Sequence, residues 1–422
     1  MPTLRPTLTL LLALALCLTV LAGCRPSVEP TTAPTPGSDP TSAVSPAPST
    51  DGQPTDGAPT EPAASLAAGE TTSPTAGPTD STPVTGVAWR DASSGFSVSD
   101  ALADTTVGTS AGVAGRWIVI GTTDDEEAAA SWISSDGQSW QRVVLPASAD
   151  VELQSVTDGP NGLVAVGFSY AADEPVPAGW HSLDGQSWQP IGGDLCAGEM
   201  SAVAAADGYL ALGSDPATDG VIAWSSADGI GWSAGSAVGG IDGGAIINGL
   251  IPFAGGYLAY GATTGEAAAV WHSADGFAWQ LAALPQGQGS TVSHLAAGEG
   301  KYVAVGARAD GELAQSMAWL SPDGLAWEAT LVGGDGAMYG VAPMGDGFVA
   351  VGAVELARFR FDGAAWLSAD GLTWSRLAAD PSFGQARMYG VLAGPAGVLV
   401  VGERSDASAE VTQPALWVAT AE

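Results

Sequence analysis

Five arginines and two tyrosines in the last third of the chain are the residues whose types best suit ligand binding. A guanidinium can make two parallel hydrogen bonds to a carboxylate, and a tyrosine combines an aromatic face with a polar hydroxyl. We therefore hypothesise a site for a carboxylate-bearing or sugar ligand. In the alternative, these arginines pair with neighbouring acids, such as Glu355 and Glu403, on a solvated surface. The candidate ligand-binding residues are Arg308, Tyr339, Arg358, Arg360, Arg387, Tyr389 and Arg404.

Metal and thiol chemistry have little support in the sequence. His181, His272 and His294 lie in separate segments, so no pair has the spacing of zinc ligands. The acidic run at residues 122–127 could hold a calcium ion, but it lacks a glycine-bearing Asp-x-Asp loop, which favours a solvated acidic loop. Cys196 is the one cysteine beyond the N-terminal region and is expected to be a small buried apolar residue. No metal site and no cofactor are therefore predicted.

The charge balance excludes one class of partner. The chain has 12 Lys and Arg against 45 Asp and Glu, a formal net charge of −33. Binding to a nucleic-acid backbone needs clustered basic residues to neutralise phosphates. Nucleic acid is therefore not an expected partner.

The N-terminus has the pattern of an export signal. Arg5 precedes an apolar run over residues 8–21, which is too short to span a bilayer with ease. The run ends in Leu21-Ala22-Gly23-Cys24, which resembles the lipobox of bacterial lipoproteins. The resemblance implies that residues 1–23 are removed and that Cys24 is diacylated, which would anchor the protein to the bacterial membrane or envelope on its extracytoplasmic side. The alternative is an ordinary cleaved signal with a chance cysteine.

A spacer follows the proposed anchor. Residues 24–86 are rich in proline, threonine and serine and have almost no large apolar side chains. Such a segment cannot bury enough apolar surface to offset the entropy of ordering, so a disordered stalk is predicted.

The rest of the chain, residues 87–422, is a repeat marked by tryptophans. The pattern Trp-x-Ser-x-Asp-Gly-x-x-Trp occurs six times, starting at Trp132, Trp180, Trp224, Trp271, Trp319 and Trp366. An apolar run ending in glycine precedes each pattern and occurs seven times, ending at Gly121, Gly167, Gly213, Gly261, Gly306, Gly352 and Gly402. A fixed period of about 40–50 residues is typical of propeller blades with four strands each.

Counting tryptophans predicts seven blades. Seven apolar elements and seven third-strand tryptophans, the last being Trp417, require seven fourth-strand tryptophans, but the six patterns supply only six. Trp89 is the remaining candidate. We therefore predict an all-β, seven-bladed propeller of four-stranded antiparallel blades, in which the strand around Trp89 completes the last blade beside Trp417. The domain is expected to be monomeric.

The repeated hairpin resembles the Asp-box, or bacterial neuraminidase repeat, of sialidases and other propellers. Here glycine directly follows the aspartate, whereas the usual box has one residue between them, so this is a shortened box. The resemblance implies that the box is structural and lies on the face opposite the active site. The box residues are Ser134, Asp136, Gly137 and Trp140; Ser182, Asp184 and Trp188; Ser226, Asp228 and Trp232; Ser273, Asp275 and Trp279; Ser321, Asp323 and Trp327; and Ser368, Asp370 and Trp374.

A functional site is therefore expected on the opposite face, here called the rim. The rim is built from the starts of the first strands and the loops between second and third strands. The candidate arginines and tyrosines fall on the rim of blades five to seven, whereas the rest of the rim is acidic, with Asp124, Asp125, Glu126, Glu127, Glu152, Asp173, Glu174 and Glu199. The charge on the rim is thus expected to be asymmetric, with basic residues in blades five to seven and acidic residues elsewhere.

Three functions remain open on this basis. The first is a surface-displayed binding or scaffolding module for a protein partner or a glycan. The second is an extracellular glycoside hydrolase, sialidase-like or xyloglucanase-like, although the Arg-Ile-Pro-like segment of sialidases is not found and the tyrosines lack a clear partner in sequence. The third is an assembly factor for envelope complexes.

Overall fold

The structure is a computed structural model that describes residues 86–93, 109–110, 115–123, 128–170, 174–195, 198–298, 300–310, 313–357, 360–394, 397–405 and 412–422. The predicted signal, Cys24 and the predicted stalk up to residue 85 lie outside the described residues. So do Cys196, Arg358, Asp124–Glu127 and Asp173. The described residues contain no α-helix, and none of their helical segments is long and apolar enough to span a bilayer.

The described residues form strands and one short 3-10 helix at Pro381–Phe383. In chain order the strands are β1 (Val87–Asp91), β2 (Thr109–Ser110), β3 (Trp117–Thr123), β4 (Ala128–Ser134), β5 (Gln141–Ala149), β6 (Val151–Gly159), β7 (Gly162–Ser169), β8 (Val176–Ser182), β9 (Trp188–Pro190), β10 (Gly192–Gly193), β11 (Glu199–Ala205), β12 (Tyr209–Asp215), β13 (Gly220–Ser226), β14 (Gly231–Trp232), β15 (Ser236–Ala237), β16 (Ile246–Phe253), β17 (Gly256–Ala262), β18 (Ala268–Ser273), β19 (Gln280–Ala282), β20 (Ser290–Gly298), β21 (Lys301–Asp310), β22 (Leu313–Ser321), β23 (Glu328–Asp335), β24 (Ala337–Met344), β25 (Gly347–Ala357), β26 (Arg360–Ser368), β27 (Ser375–Arg376), β28 (Ala386–Gly394), β29 (Gly397–Ser405) and β30 (Thr412–Ala421).

These strands form seven four-stranded antiparallel sheets, which confirms the predicted seven-bladed propeller. Blades one to seven are β2-β3-β4-β5, β6-β7-β8-β9, β11-β12-β13-β15, β16-β17-β18-β19, β20-β21-β22-β23, β24-β25-β26-β27 and β28-β29-β30-β1. We call the four strands of each blade A to D in these orders. The strands β10 and β14 form a separate two-stranded parallel pair.

The A strands surround the centre of the ring. Each A strand packs on the A strands of its two neighbouring blades, including β28 of blade seven on β2 of blade one. The turn from A to B and the box turn from C to D lie at one end of each blade, whereas the start of A and the B–C connection lie at the other. The first of these ends is the box face, and the second is the rim.

Hydrogen bonds inside the box fold each C–D hairpin. In all six boxes the serine Oγ accepts from the glycine N–H at 2.8–2.9 Å. The aspartate Oδ1 accepts from the two backbone N–H groups that follow that glycine, at 2.6–3.0 Å. Short polar side chains satisfy turn amides in this way. The box is therefore self-contained, and its polar groups are used within the turn.

The box glycine brings each hairpin against the preceding blade. Gly185 of blade two has a φ of +72°, and a Cβ added there would lie 2.6 Å from Cδ1 of Ile118 in blade one. The same relation holds at Gly371, where the nearest atom is Cγ2 of Val303 in blade five, at 2.6 Å. Glycine is needed for both the left-handed backbone and the close approach. The shortened box is thus an interface between blades as well as a turn.

The two tryptophans of each repeat have different partners. In blades two to six the strand-D indole N–H donates to its own box glycine carbonyl at 2.9–3.1 Å. The strand-C indole of Trp180 instead donates to the carbonyl of Pro146, in strand β5 of the preceding blade, at 2.9 Å. Trp319 makes the equivalent bond to Pro285, also at 2.9 Å. The strand-C rings are almost completely buried, so they form the core of each blade.

The N-terminal strand closes the ring as predicted. In blade seven Trp89 lies opposite Ala419 and Asp91 lies opposite Trp417. The same offset occurs in blade two, where Trp188 lies opposite Ser182 and Pro190 opposite Trp180. Trp89 therefore takes the strand-D tryptophan position of a blade whose C–D hairpin is replaced by two separate chain segments. Its ring packs edge-on against Phe383, with centroids 4.9 Å apart, and Phe383 in turn packs on Trp417.

Replacing a box glycine should destabilise the whole ring. We expect Gly185→Ala to lower the free energy of unfolding by about 2–4 kcal/mol, because the new Cβ combines a left-handed backbone with overlap on Ile118. Gly333→Ala is the matched control, since that glycine has no atom within 4 Å of an added Cβ and its φ is not left-handed. Urea unfolding monitored by tryptophan fluorescence measures both. Equal stability of the two variants would contradict this role of the box.

The low pKa values of the box aspartates should make the free energy of unfolding depend on pH. Backbone N–H groups of Ser139 and then Gln138 lower the pKa of Asp136 to about 2. The pKa values of Asp184, Asp228, Asp275, Asp323 and Asp370 are lowered as well. Because the folded-state pKa lies below the unfolded value of about 4, this stabilisation is present above that pH and is lost as the pH falls toward about 2.

The measurement is the difference in urea midpoint between the wild type and Asp136→Asn at pH 5, 4, 3 and 2.5. Taking a difference removes the general effect of neutralising a chain whose net charge is −33. We expect the wild type to be more stable at pH 5 and the gap to shrink toward pH 2.5. A difference in urea midpoint that stays constant with pH would show that the charge of Asp136 contributes nothing to stability.

Candidate functional site

A bulge in strand A shapes the rim. In blade seven the pairing of β28 with β29 skips Tyr389, so this residue has no partner in the ladder. The bulge turns the carbonyl of Arg387 toward Gly402, where any Cβ would collide with it. The apolar element that ends in glycine is therefore the complement of the bulge. Equivalent bulges occur in blades two to six, each beside its own glycine.

The bulge brings two of the predicted ligand-binding residues, Arg387 and Tyr389, close to the carboxylate of Glu403. Arg387 lies directly opposite Glu403 in the ladder, and its Nη1 is 3.6 Å from the Oε1 of that residue. The Tyr389 hydroxyl donates a short hydrogen bond to the same carboxylate oxygen. Both Arg387 and Glu403 are partly exposed, with side-chain exposures of 23% and 32%. Arg387, Tyr389 and Glu403 thus form one connected polar cluster at the rim.

Aromatic rings from blade six complete this cluster. The guanidinium of Arg387 lies 3.7 Å from the ring centroid of Phe361, a cation–π distance. Tyr339, the bulge residue of β24, has its ring 5.9 Å from the ring of Tyr389 at an angle of 44°. Tyr389 is 41% exposed and Tyr339 is partly buried. We call Tyr339, Phe361, Arg387, Tyr389 and Glu403 the rim cluster.

The environment of the rim cluster keeps its tyrosines protonated. Burial, followed by the hydrogen bond to Glu403 and the charge of that carboxylate, raises the pKa of Tyr389 well above its usual value. Burial also raises the pKa of Tyr339, with Arg387 opposing and Glu355 reinforcing the shift. Neutral phenols act as hydrogen-bonding and stacking groups. Both tyrosines are therefore present as neutral hydrogen-bonding and stacking groups.

The other candidate arginines lie outside the rim cluster. Arg404 bonds Asp91 of the ring-closing strand at 2.9 Å and the carbonyl of Ser382 at 2.8 Å. Arg308 in blade five donates to Oε1 of Gln315 at 3.0 Å, and Arg360 is exposed at the start of β26. Arg358 is not among the described residues. Arg404 therefore has a structural partner at the point where the ring closes, and Arg387 is the guanidinium that meets the two tyrosines.

Acids occupy the rim of blades two and three. Glu199 has a raised pKa because of its burial and the nearby charge of Glu152. Tyr170, which is 58% exposed, has a raised pKa for the same kinds of reason, with burial the largest cause. The described part of the rim thus carries acids in blades two and three and the Arg387 guanidinium in blade seven.

The histidines are separate in space as well as in sequence. His181 is buried with its Nε2 2.7 Å from the Asn161 carbonyl, whereas His294 accepts from the Val341 N–H at 3.4 Å. In the part of the chain that the structure describes, no group of three or more His, Cys, Asp or Glu residues is placed to hold a metal ion.

The partner of Tyr389 is not evident from the sequence. Residues 389 and 403 are 14 apart, and nothing in a single strand marks them as neighbours. The signal that could have found them is Gly402, because the close approach it permits fixes Arg387 opposite Glu403. Phe361, which stacks on Arg387 from the next blade, has no such marker.

No protein-family profile matches the chain, and no curated protein matches it. Several solved structures are similar to the chain. A streptogramin B lyase structure has a TM-score of 0.52 at 9% identity, over 81% of this chain and 100% of that one. YCF48 bound to D1 peptide has a TM-score of 0.49 at 15% identity, over 82% and 99%.

Trypanosoma rangeli sialidase in complex with the inhibitor DANA has a TM-score of 0.42 at 14% identity, over 74% of this chain and 54% of that chain. This chain thus spans about half the length of the sialidase. At identities this low, the likeness to these structures concerns the fold alone: the chain is a β-propeller.

Proposed function

We propose that the protein is a binding or scaffolding module that holds a protein partner or a glycan on the rim of blades six and seven. The observation that carries the proposal is the rim cluster, in which Arg387 stacks on Phe361 beside two tyrosines. Arginine and tyrosine in partly desolvated clusters supply much of the energy at binding sites. The neighbouring blades hold these side chains on strands of a closed ring, so little order is lost when a ligand binds.

The box face has a different use. Its serines and aspartates bond within their own hairpins, as do its fourth-strand indoles in blades two to six, and its glycines pack on the preceding blade. Gly86 and Glu422, where the described chain enters and leaves the propeller, are joined at this face by a backbone hydrogen bond of 3.1 Å. The Gly86 end of the described chain therefore lies at the box face, opposite the rim.

We further propose that Cys24 is lipidated and that the protein is displayed on the extracytoplasmic side of a bacterial membrane. The support is the sequence Leu21-Ala22-Gly23-Cys24 after an apolar run. We expect metabolic labelling with a radioactive fatty acid to mark the wild-type chain and not Cys24→Ser. The Cys24→Ser chain should also leave the membrane fraction. Equal labelling of both chains would contradict lipidation at this residue.

A glycoside hydrolase remains the second candidate, and the Tyr389–Glu403 hydrogen bond favours it. A sialidase-like reaction would use a tyrosine nucleophile paired with a glutamate, together with three arginines on one carboxylate. Arg387 contacts the rim cluster, whereas Arg404 and Arg308 bond elsewhere. This favours binding over catalysis. The assembly-factor function would use the same rim surface.

Photo-crosslinking tests which face meets the ligand without requiring its identity. A photoreactive phenylalanine analogue replaces Leu356, which is 64% exposed on the rim beside Glu355. The matched control places it at Leu183, which is 71% exposed in a box hairpin. In cells expressing the full chain, we expect adducts from position 356 at several times the yield from position 183. Adducts should fall when Arg387→Ala is added, and Arg376→Ala, an exposed outer-strand change, should leave them unaltered.

Two results would contradict the proposal. Adducts from position 183 with none from position 356 would place the ligand on the box face. Turnover of a fluorogenic sialoside or xyloglucan oligosaccharide by the wild type, abolished in Tyr389→Phe, would establish the hydrolase instead.

A further inference from the structure

In blades two to seven, each strand-A bulge places one residue at the rim end of the ring centre. Because the A strands are the innermost and each bulge lies near the strand start, the skipped residues share one level of the structure. In blades two to seven these bulge residues are Gln154, Ser201, Asn248, Ser293, Tyr339 and Tyr389. Register alone therefore creates a ring of six side chains, of which the rim cluster contributes two.

The ring consists of uncharged hydrogen-bonding side chains and tyrosines, with no aliphatic member. Asn248 reaches the next blade, where its Nδ2 donates to the Val292 carbonyl at 2.7 Å. Gln154 donates to Oε1 of Glu152 at 2.8 Å, and Ser201 donates to the Leu212 carbonyl at 3.3 Å. The core of a protein–protein interface is mostly apolar. A ring of amides, hydroxyls and phenols matches that core poorly.

The charge of Arg387 is balanced within the rim cluster. Glu403 lies opposite it in the ladder at 3.6 Å, and Glu355 acts electrostatically on the neighbouring Tyr339. The protein as a whole carries a net charge of −33. An anionic ligand would have to displace Glu403 from Arg387 and approach against this field. Of the two ligands hypothesised from the sequence, the geometry thus favours an uncharged sugar over a carboxylate.

We propose that the rim cluster binds an uncharged glycan, an inference that rests on the proposed binding function of the same surface. The exposed face of Tyr389 and the tilted ring of Tyr339 provide two surfaces for the C–H groups of a sugar ring, which pack on the negative face of an aromatic ring. Arg387 donates to sugar hydroxyls, and Glu403 accepts from them. The remaining bulge residues offer hydrogen bonds to further sugar units along the ring.

An array of oligosaccharides tests this proposal with the full chain purified in detergent. The array carries three groups: neutral hexose and N-acetylhexosamine chains, uronate-bearing chains and sialylated chains. We expect binding to neutral chains and at least about tenfold weaker binding of the same chains by Tyr389→Ala. Tyr389→Phe, which keeps the ring and removes the bond to Glu403, should bind better than Tyr389→Ala. Tyr170→Ala is the matched control, because it removes an exposed tyrosine from blade two of the same rim, outside the rim cluster.

Each result separates this proposal from the function on which it rests. Binding restricted to sialylated or uronate-bearing chains would overturn the ligand class but leave the rim as the binding surface. The same would follow if no glycan bound while crosslinking from position 356 captured a protein. Equal loss in Tyr170→Ala and Tyr389→Ala, with unchanged melting temperatures, would overturn the assignment to the rim cluster.

Discussion

The close approach of each box hairpin to the preceding blade is the constraint on which the rest of the structure depends. A hairpin can lie this near a neighbouring sheet only where its turn has no Cβ. Gly185 has the left-handed backbone that the turn needs and leaves room for the side chain of Ile118. Repeated around the ring, this contact sets the angle and spacing between blades. At the junction of the last and first blades, Gly137 packs against Val418 in the same manner, so the contact includes the point of closure.

A second glycine-dependent contact acts at the opposite end of each blade. There, in blades two to seven, a glycine within strand B leaves room for the carbonyl of a bulged strand A, as Gly402 does for Arg387. At the box face the polar side chains form hydrogen bonds within the turns. At the rim the side chains differ from blade to blade. Because the bulge position is repeated but its residue is not, one scaffold presents Gln154 in one blade and Tyr389 in another.

The fold was predictable because its determinants are local. Ser, Asp, Gly and Trp lie within nine residues of one another, and six evenly spaced copies specify the turn. The seven apolar runs that end in glycine and the seven third-strand tryptophans specify the number of blades. Even the position of Trp89 followed from counting. The site was less predictable, because Arg387 meets Phe361 across two blades and Arg404 meets Asp91 across the whole chain. The sequence placed these arginines on one rim but could not separate the one beside the tyrosines from the one that joins the ring-closing strand.

Ring closure by the N-terminal strand is the claim from which the position of every rim residue follows, and amide hydrogen exchange measures it directly. Val87–Asp91 pairs with β30 along its full length. We expect the amides of residues 87–91 that are hydrogen-bonded to β30 to exchange as slowly as paired amides in the outer strands of the other blades. Exchange of this segment within seconds, while the other blades stay protected, would show that the ring is open and would contradict the account.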